Sequence, residues 1–272
     1  MRRSLAGLLF GVAFSFACLA ISGYLLQRTA FSPGRTPGQA ESILKDQLVQ
    51  QEAIKVVADA TADQMYPGDP TGAAIIRQNV AIVASLPAGA ELFGPMLHDV
   101  HAVLIGDQVG PVVVPPEQLV LITRDERAAA LPALSIDVPK VTVLDLASGV
   151  LGWLVPLSAI VAMVFFVLTY LARPERGALF RTLGIGLVAL AALTIVFAYV
   201  VPKYLPPVLD SSPWARTPAL MADASLGLTL FAAFVFALVG LGLFLVSSRM
   251  GRSRRWSTPV STYRYREERS WS

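Results

Sequence analysis

The stretch VLGWLVPLSAIVAMVFFVLTYL, residues 150–171, contains no Asp, Glu, Lys, Arg or His and decides the class of the fold. As a helix it is long enough to cross the apolar core of a bilayer, which is about 30 Å thick and needs about 20 residues. Three similar runs lie at 5–26, 183–201 and 224–246. The chain is 54% hydrophobic and only 15% charged, a composition typical of membrane proteins. We therefore predict four membrane spans.

The first of these runs has a second interpretation. It follows Met1-Arg2-Arg3, and a cleaved secretory signal peptide with a site near Ala20-Ile21-Ser22 would begin in the same way. The run is longer than the apolar part of a typical signal peptide, so an uncleaved anchor is favoured. Cys18 is the single cysteine and lies inside this run, so no internal disulfide can form.

The short connections between spans set the predicted orientation. Three Arg lie between spans two and three and seven follow span four, whereas only Lys203 and Arg216 lie between spans three and four. Because short cytoplasmic loops are rich in Lys and Arg, we predict a plasma-membrane protein with both termini in the cytoplasm. The chain then divides into 1–26, an extracytoplasmic domain at 27–149, spans two to four at 150–246, and a tail at 247–272.

The segment 27–149 carries eight basic and fourteen acidic residues, a net charge of −6, which disfavours nucleic acid as its ligand. Apolar residues at helical spacing predict helices over about 43–65, 73–86 and 91–105, and Gly94-Pro95 could delay the start of the third.

Beyond Gly106 short β-branched pieces predict strands at 112–114 and 119–123, and the alternation of Ile136, Val138, Val141 and Val143 predicts another. The expected fold is a membrane all-α four-helix transmembrane bundle with a small α+β extracytoplasmic domain between spans one and two.

His98 and His101 are the only histidines, and their spacing of three places both on one face of the third predicted helix. A metal pair is therefore possible there, although zinc needs at least one further ligand. Glu91, Asp107 or Asp125 would have to be brought close by folding. The alternative is that both histidines have packing or polar roles.

The tail after span four combines basic and aromatic residues, which suits the surface of an anionic membrane. The residues predicted to lie there are Arg249, Arg252, Arg254, Arg255 and Trp256. The alternative is a flank that sets topology and continues into a disordered end.

Enzyme motifs are missing from the sequence: it has no Gly-x-Ser-x-Gly elbow, no His-Glu-x-x-His and no phosphate-binding glycine loop. Asp125-Glu126 stands among alternating charges of the kind found on solvated surfaces. We predict no catalytic residue and no cofactor. Gly7 and Gly11 have the spacing that lets helices approach closely, and we expect them to pack within the chain.

The chain combines several features: Arg2-Arg3 before span one, Ile43-Leu44-Lys45-Asp46, residues 93–101, Pro115-Pro116, and Val138-Pro139-Lys140 before three closely spaced spans. In this combination the chain resembles a broad set of actinobacterial four-span membrane proteins of unassigned function. Its order of span, domain and three spans is also similar to the FtsX type of membrane protein, which couples a cytoplasmic ATPase to movement of an outer domain. Neither resemblance implies a catalytic residue.

We therefore expect a non-enzymatic membrane protein of the cell envelope, a scaffold or accessory subunit that binds a partner through residues 27–149. Its expected partners are membrane lipids and a membrane or envelope protein, not nucleic acid. One alternative is a permease-like or accessory subunit of an envelope transporter, and another is a metal-dependent envelope hydrolase centred on His98 and His101.

Overall fold

The computed structural model describes residues 2–138, 141–172 and 176–255, and most of them are helical. In chain order the elements are α1 (Arg2–Ala30), α2 (Ala40–Leu44), α3 (Gln47–Met65), α4 (Pro70–Ser85), α5 (Pro87–Leu104), β1 (Val112–Val114), α6 (Pro116–Thr123), β2 (Leu134–Ile136), α7 (Thr142–Leu171), α8 (Arg176–Ile195), α9 (Val201–Leu209), α10 (Thr217–Ala224) and α11 (Leu226–Arg255). Residues 31–138, between α1 and α7, are called the interspan body below.

The four predicted spans are confirmed as helices long and apolar enough to cross a membrane. They are Ala6–Ala30, Thr142–Leu171, Leu179–Leu209 and Leu226–Ser248, with mean hydropathies of 2.0 to 2.6. Helices α4 and α5 taken together are also long and apolar enough to cross a membrane, but they bend by 102° at their junction. Their apolar side chains, among them Ile76, Val80, Phe93 and Leu97, are buried in the core of the interspan body.

The membrane helices pack as two pairs, α1 with α7 and α8 with α11, and the pairs meet mainly where α1 contacts α8 and the turn that follows it, Val196–Val200. In the first pair the Phe10 ring lies 5.9 Å from the Phe166 ring, edge to face, and 6.2 Å from that of Phe14. Phe14 in turn lies directly against Gly186 of α8, which has no side chain to keep the ring away. Helices α7 and α11 therefore stand at the two edges of the arrangement.

Helices α8 and α11 cross at Gly184 and Gly240. A Cβ added to Gly184 would lie 2.6 Å from the Gly240 carbonyl oxygen, and one added to Gly240 would lie 2.7 Å from the Gly184 carbonyl oxygen. The two backbones thus touch, which is how small residues increase van der Waals packing between membrane helices. A Cβ on Gly7 or Gly11 would meet no described atom within 4 Å, so the expectation that these two pack within the chain is wrong.

Span three is longer than predicted and is not a uniform helix. Helix α8 passes through a π turn, Val196–Val200, directly into α9, which ends at Leu209. Pro202 follows the turn and has no N–H to complete the helical ladder. Helices are commonly distorted at prolines and at π turns, and span three has both at this point.

The interspan body is chiefly helical, with one antiparallel pair of three-residue strands in which Val112 faces Ile136. The predicted strand at 112–114 is confirmed. The predicted strand at 119–123 is wrong, because Pro116 begins α6, a position where proline is favoured. The predicted alternation through Val141 and Val143 is also wrong, because Thr142 already begins α7.

The helix predicted over 43–65 is in fact two helices. An oxygen of the Asp46 carboxylate accepts hydrogen bonds from the backbone N–H groups of Leu48 and Val49, and this N-cap starts α3. The other two predicted helices correspond to α4 and α5. Gly94-Pro95 does not delay α5, which begins at Pro87 and runs through Pro95.

The crossing of α8 and α11 makes a direct prediction. Gly240→Ala should destabilise the protein by about 1–3 kcal/mol, because the added methyl group overpacks a contact between backbones. Unfolding in detergent measures the change. Gly242→Ala is the matched control, since a Cβ there meets no described atom within 4 Å. Equal destabilisation by both changes would contradict the close crossing.

Candidate functional site

His101 of α5 is fully buried at the place where the interspan body meets the end of α1. Its Nε2 lies 3.0 Å from the carbonyl oxygen of Ala30, and its Nδ1 lies 2.8 Å from the hydroxyl of Thr36. A carbonyl oxygen only accepts hydrogen bonds, so Nε2 carries the proton. In the neutral ring Nδ1 then accepts the hydrogen bond that the Thr36 hydroxyl donates.

Burial lowers the pKa of His101 to about 4, because the charged imidazolium cannot be solvated there; the Ala30 carbonyl opposes this shift and His98 adds to it slightly. With a neutral ring whose two nitrogens are both hydrogen-bonded, His101 has no lone pair free for a metal. In this arrangement His101 has the contacts of a structural histidine, and its candidate metal role stays a prediction.

His98 has a different environment. Its Nδ1 lies 2.9 Å from a carboxylate oxygen of Asp99, and both side chains are more than one-third exposed. In the described part of the chain no group of three or more His, Cys, Asp or Glu side chains is placed to hold a metal ion. Folding thus does not bring Glu91, Asp107 or Asp125 to the histidines as a ligand set.

The Thr36 hydroxyl also contacts the connection between spans three and four. Its oxygen lies 3.8 Å from the sulfur of Met221 in α10. Met221 and Trp214, which precedes α10, are 1% and 3% exposed and belong to the same hydrophobic core as the interspan body. One buried cluster therefore contains residues from α1, from the body and from the α9–α11 connection.

A second link joins the same parts on a more open side. A guanidinium nitrogen of Arg216 lies 2.9 Å from an Asp46 carboxylate oxygen, while the other oxygen of Asp46 caps α3. The Asp46 side chain is only 13% exposed, so water screens this pair less than a fully exposed one. We call Ala30, Thr36, Asp46, His101, Trp214, Arg216 and Met221 together the docking seam.

Beside the docking seam, Lys203 ties α9 to α10. Its ammonium group lies 2.7 Å from an Asp223 carboxylate oxygen and 2.6 Å from the hydroxyl of Tyr199 in the π turn. Span three is in this way joined to α10, and α10 in turn packs on the interspan body.

The charged turn at Asp125 is a paired surface, as its alternating charges indicate. Arg127 donates hydrogen bonds to the Asp125 carboxylate and lies over the ring of Tyr66. The hydrogen bond from Arg127 is the main reason why the pKa of Asp125 is lowered. These contacts hold Tyr66, directly after α3, against the turn that follows α6.

The predicted membrane-surface residues lie at the end of the chain. Arg249, Arg252, Arg254 and Arg255 fall within the last turns of α11, whereas Trp256 lies outside the described residues. Their contact with anionic lipid stays a prediction.

Most of the docking seam was missed by sequence reasoning. Asp46 had a usable signal, since an Asp directly before an apolar helical run is a typical N-cap. Arg216 and Trp214 lie in a short connection between spans, where a basic and an aromatic residue are common at a membrane surface, so their sequence gave no sign of a contact with the interspan body.

The chain was also compared with known proteins, and no family model, curated protein or solved structure matches it.

The burial of His101 predicts a dependence of stability on pH. An unfolded His101 has its ordinary pKa of 6.5, so between pH 6.5 and about 4 the unfolded chain binds a proton that the folded chain does not. The contribution of neutral His101 to the free energy of unfolding is therefore fully present above pH 6.5. It is lost as the pH decreases towards 4, by up to about 3 kcal/mol. Unfolding in detergent across this pH range measures the loss.

His101→Gln tests the assignment, because a glutamine amide both donates and accepts hydrogen bonds but does not titrate. This variant should lose less stability than the parent between pH 6.5 and 4. His98→Gln is the control and should keep the parent's pH dependence. An unchanged dependence in His101→Gln would overturn the role given to His101.

Proposed function

We propose that this chain is a non-enzymatic scaffold or accessory subunit of the cell envelope, which holds the interspan body at a set position on the membrane and binds a protein partner with it. The observation that carries the proposal is the docking seam. The hydrogen bond from His101 to Ala30 joins the body to α1, and the Asp46–Arg216 ion pair and the buried Trp214 join it to the α9–α11 connection. A flexibly tethered domain would need none of these contacts.

In this proposal both chain ends are cytoplasmic and the interspan body lies outside the plasma membrane. The proposal is supported by Arg173, Arg176 and Arg181 in the short loop after span two and by the seven Arg of the tail. Positive charge in short segments next to spans favours their retention in the cytoplasm. The docking seam then lies on the outer side, where spans one and three end.

The partner that best fits the body is an envelope protein with a basic surface. The segment 27–149 has a net charge of −6. Asp63 and Glu126 are exposed and form no ion pair with a described residue, so their charges are available to a partner. Complementary charge speeds association and selects the orientation in which two proteins meet.

A second candidate is an accessory subunit of an envelope transporter, and the course of span three favours it. The Lys203–Asp223 ion pair ties α9 to α10, and α9 continues through the π turn into α8. A movement of the interspan body would therefore reach α8 and, through the Gly184–Gly240 crossing, α11. A transporter or ATPase in the purified complex would favour this candidate over a static scaffold.

Affinity purification of the tagged full-length protein in mild detergent, with mass spectrometry of bound proteins and lipids, tests the proposal. We expect one envelope or membrane protein in stoichiometric amount. Recovery of the chain with lipid alone would contradict a scaffold or accessory role.

Charge reversal tests how the partner is held. Replacing Asp63 and Glu126 together by Lys should lower recovery of the partner several-fold and should weaken the effect of salt on binding, because two attractive charges become repulsive. Lys55→Glu is the matched control: it reverses an exposed charge of the opposite sign and should leave recovery intact. If the variant with both charges reversed recovers as much partner as the parent chain does, the partner does not bind through Asp63 and Glu126.

A further inference from the structure

One end of the membrane helices is strongly basic. Because successive spans run in opposite directions, spans one and three start on the side where span four ends. Phe14 of α1 lies against Gly186 of α8, and Gly184 of α8 touches Gly240 of α11, so these three spans are also neighbours. We call the eight arginines at this end the basic end: Arg2, Arg3, Arg176, Arg181, Arg249, Arg252, Arg254 and Arg255.

Three positions of the basic end lie at one height, just outside the spans. Arg3 and Arg176 each come three residues before the start of a span, and Arg249 directly follows the end of one. A helix rises about 1.5 Å per residue, so each position is within about 5 Å of its span. The headgroup layer on either side of the apolar core is about 5–7 Å thick. These positions from three helices are therefore at the height of the lipid phosphates.

Arg181 extends the basic end towards the apolar core. It is exposed and lies inside the bounds of span three. A charge left in the apolar core costs free energy, and a long Arg side chain avoids this by keeping its guanidinium in the headgroup layer. The height of the lipid phosphates is therefore favourable for this charge too.

The basic end has no carboxylate of its own among the described residues. Every described Asp and Glu lies in the interspan body, in the first turns of α7 or between α8 and α11, at the other end of the spans. The two basic residues between α8 and α11 are both paired there: Lys203 with Asp223 at 2.7 Å and Arg216 with Asp46 at 2.9 Å. Arginines gathered without acidic partners repel one another, so anions from outside the described chain would stabilise the basic end.

We propose that the basic end binds the phosphate of an anionic membrane phospholipid, held jointly by residues of α1, α8 and α11. All eight residues are Arg and none is Lys. A guanidinium forms two parallel hydrogen bonds to phosphate oxygens, which an ammonium group cannot do. The site differs from a basic tail lying on the membrane, because two further helices contribute to it. It depends neither on the partner proposed above nor on the side of the membrane that the basic end faces.

Lipid selection by the purified full-length protein tests the site. The protein in mild detergent is equilibrated with equal amounts of phosphatidylglycerol and phosphatidylcholine that carry the same chains. It is then repurified, and the bound lipid is measured by mass spectrometry. We expect phosphatidylglycerol to exceed phosphatidylcholine several-fold, and the excess to fall as salt is raised, because salt screens surface charges. Equal retention of the two lipids would overturn the proposal.

Paired substitutions on two helices locate the site. Arg176→Gln with Arg249→Gln should lower the excess of phosphatidylglycerol several-fold. Lys55→Gln with Arg124→Gln is the matched control, since it removes two exposed charges from the interspan body, and it should leave the excess unchanged.

A charge-conserving pair separates lipid binding from an effect on membrane insertion. Arg176→Lys with Arg249→Lys keeps the positive charge that sets orientation, and its excess should fall between those of the parent and the glutamine pair. Equal losses in the lysine and glutamine pairs would contradict a site that depends on charge, as would no loss in the glutamine pair.

A soluble anion is the other source of phosphate. Inorganic phosphate in excess, compared with chloride at equal ionic strength, should leave the bound phosphatidylglycerol in place, because a lipid is also held by its chains beside the spans. Displacement by inorganic phosphate but not by chloride would assign the basic end to a soluble ligand and overturn the lipid.

Discussion

Burying an imidazole costs free energy unless both nitrogens find partners, and His101 finds them in two separate places. The carbonyl of Ala30 lies at the last residue of α1, where the helix leaves carbonyl groups unpaired, and Thr36 lies in the turns that follow. One side chain of α5 thereby closes the end of a membrane helix and orients the segment that follows it. Since Thr36 also touches Met221, the position of the interspan body relative to spans one, three and four is tied to this single cluster.

The arrangement of the spans complements this attachment. The body is held by α1 and by the α9–α11 connection, which belong to different helix pairs, so it bridges both pairs. Helix α7 has no part in the docking seam and packs mainly on α1, which leaves its outer face free. Under the proposal made above, the acidic interspan body is the part of the molecule that binds a protein partner.

The outcome for particular residues shows how far sequence reasoning reached. The spans were predictable because each is a long apolar run, although α7 begins at Thr142, eight residues before the predicted start. Residues 119–123 are rich in β-branched and apolar types, yet they are helical, because Leu119 and Ile122 lie one turn apart and both point into the core. The prediction that His98 and His101 lie on one helix is confirmed, since both belong to α5. Which groups their nitrogens meet was beyond the sequence, since the partners of His101 are 65 and 71 residues away.

The sequence by itself determined that the chain crosses a membrane and where its main helices run. Inside lipid every backbone N–H and C=O must be paired, and a helix does this within its own segment, so composition and length over about 20 residues suffice for that decision. Only the tertiary structure decided that His101 is structural, that Asp46 meets Arg216, and that Gly184 and Gly240 touch while Gly7 and Gly11 do not. These are contacts between residues far apart in the chain, and they depend on which helix faces pack together, a choice that no local pattern encodes.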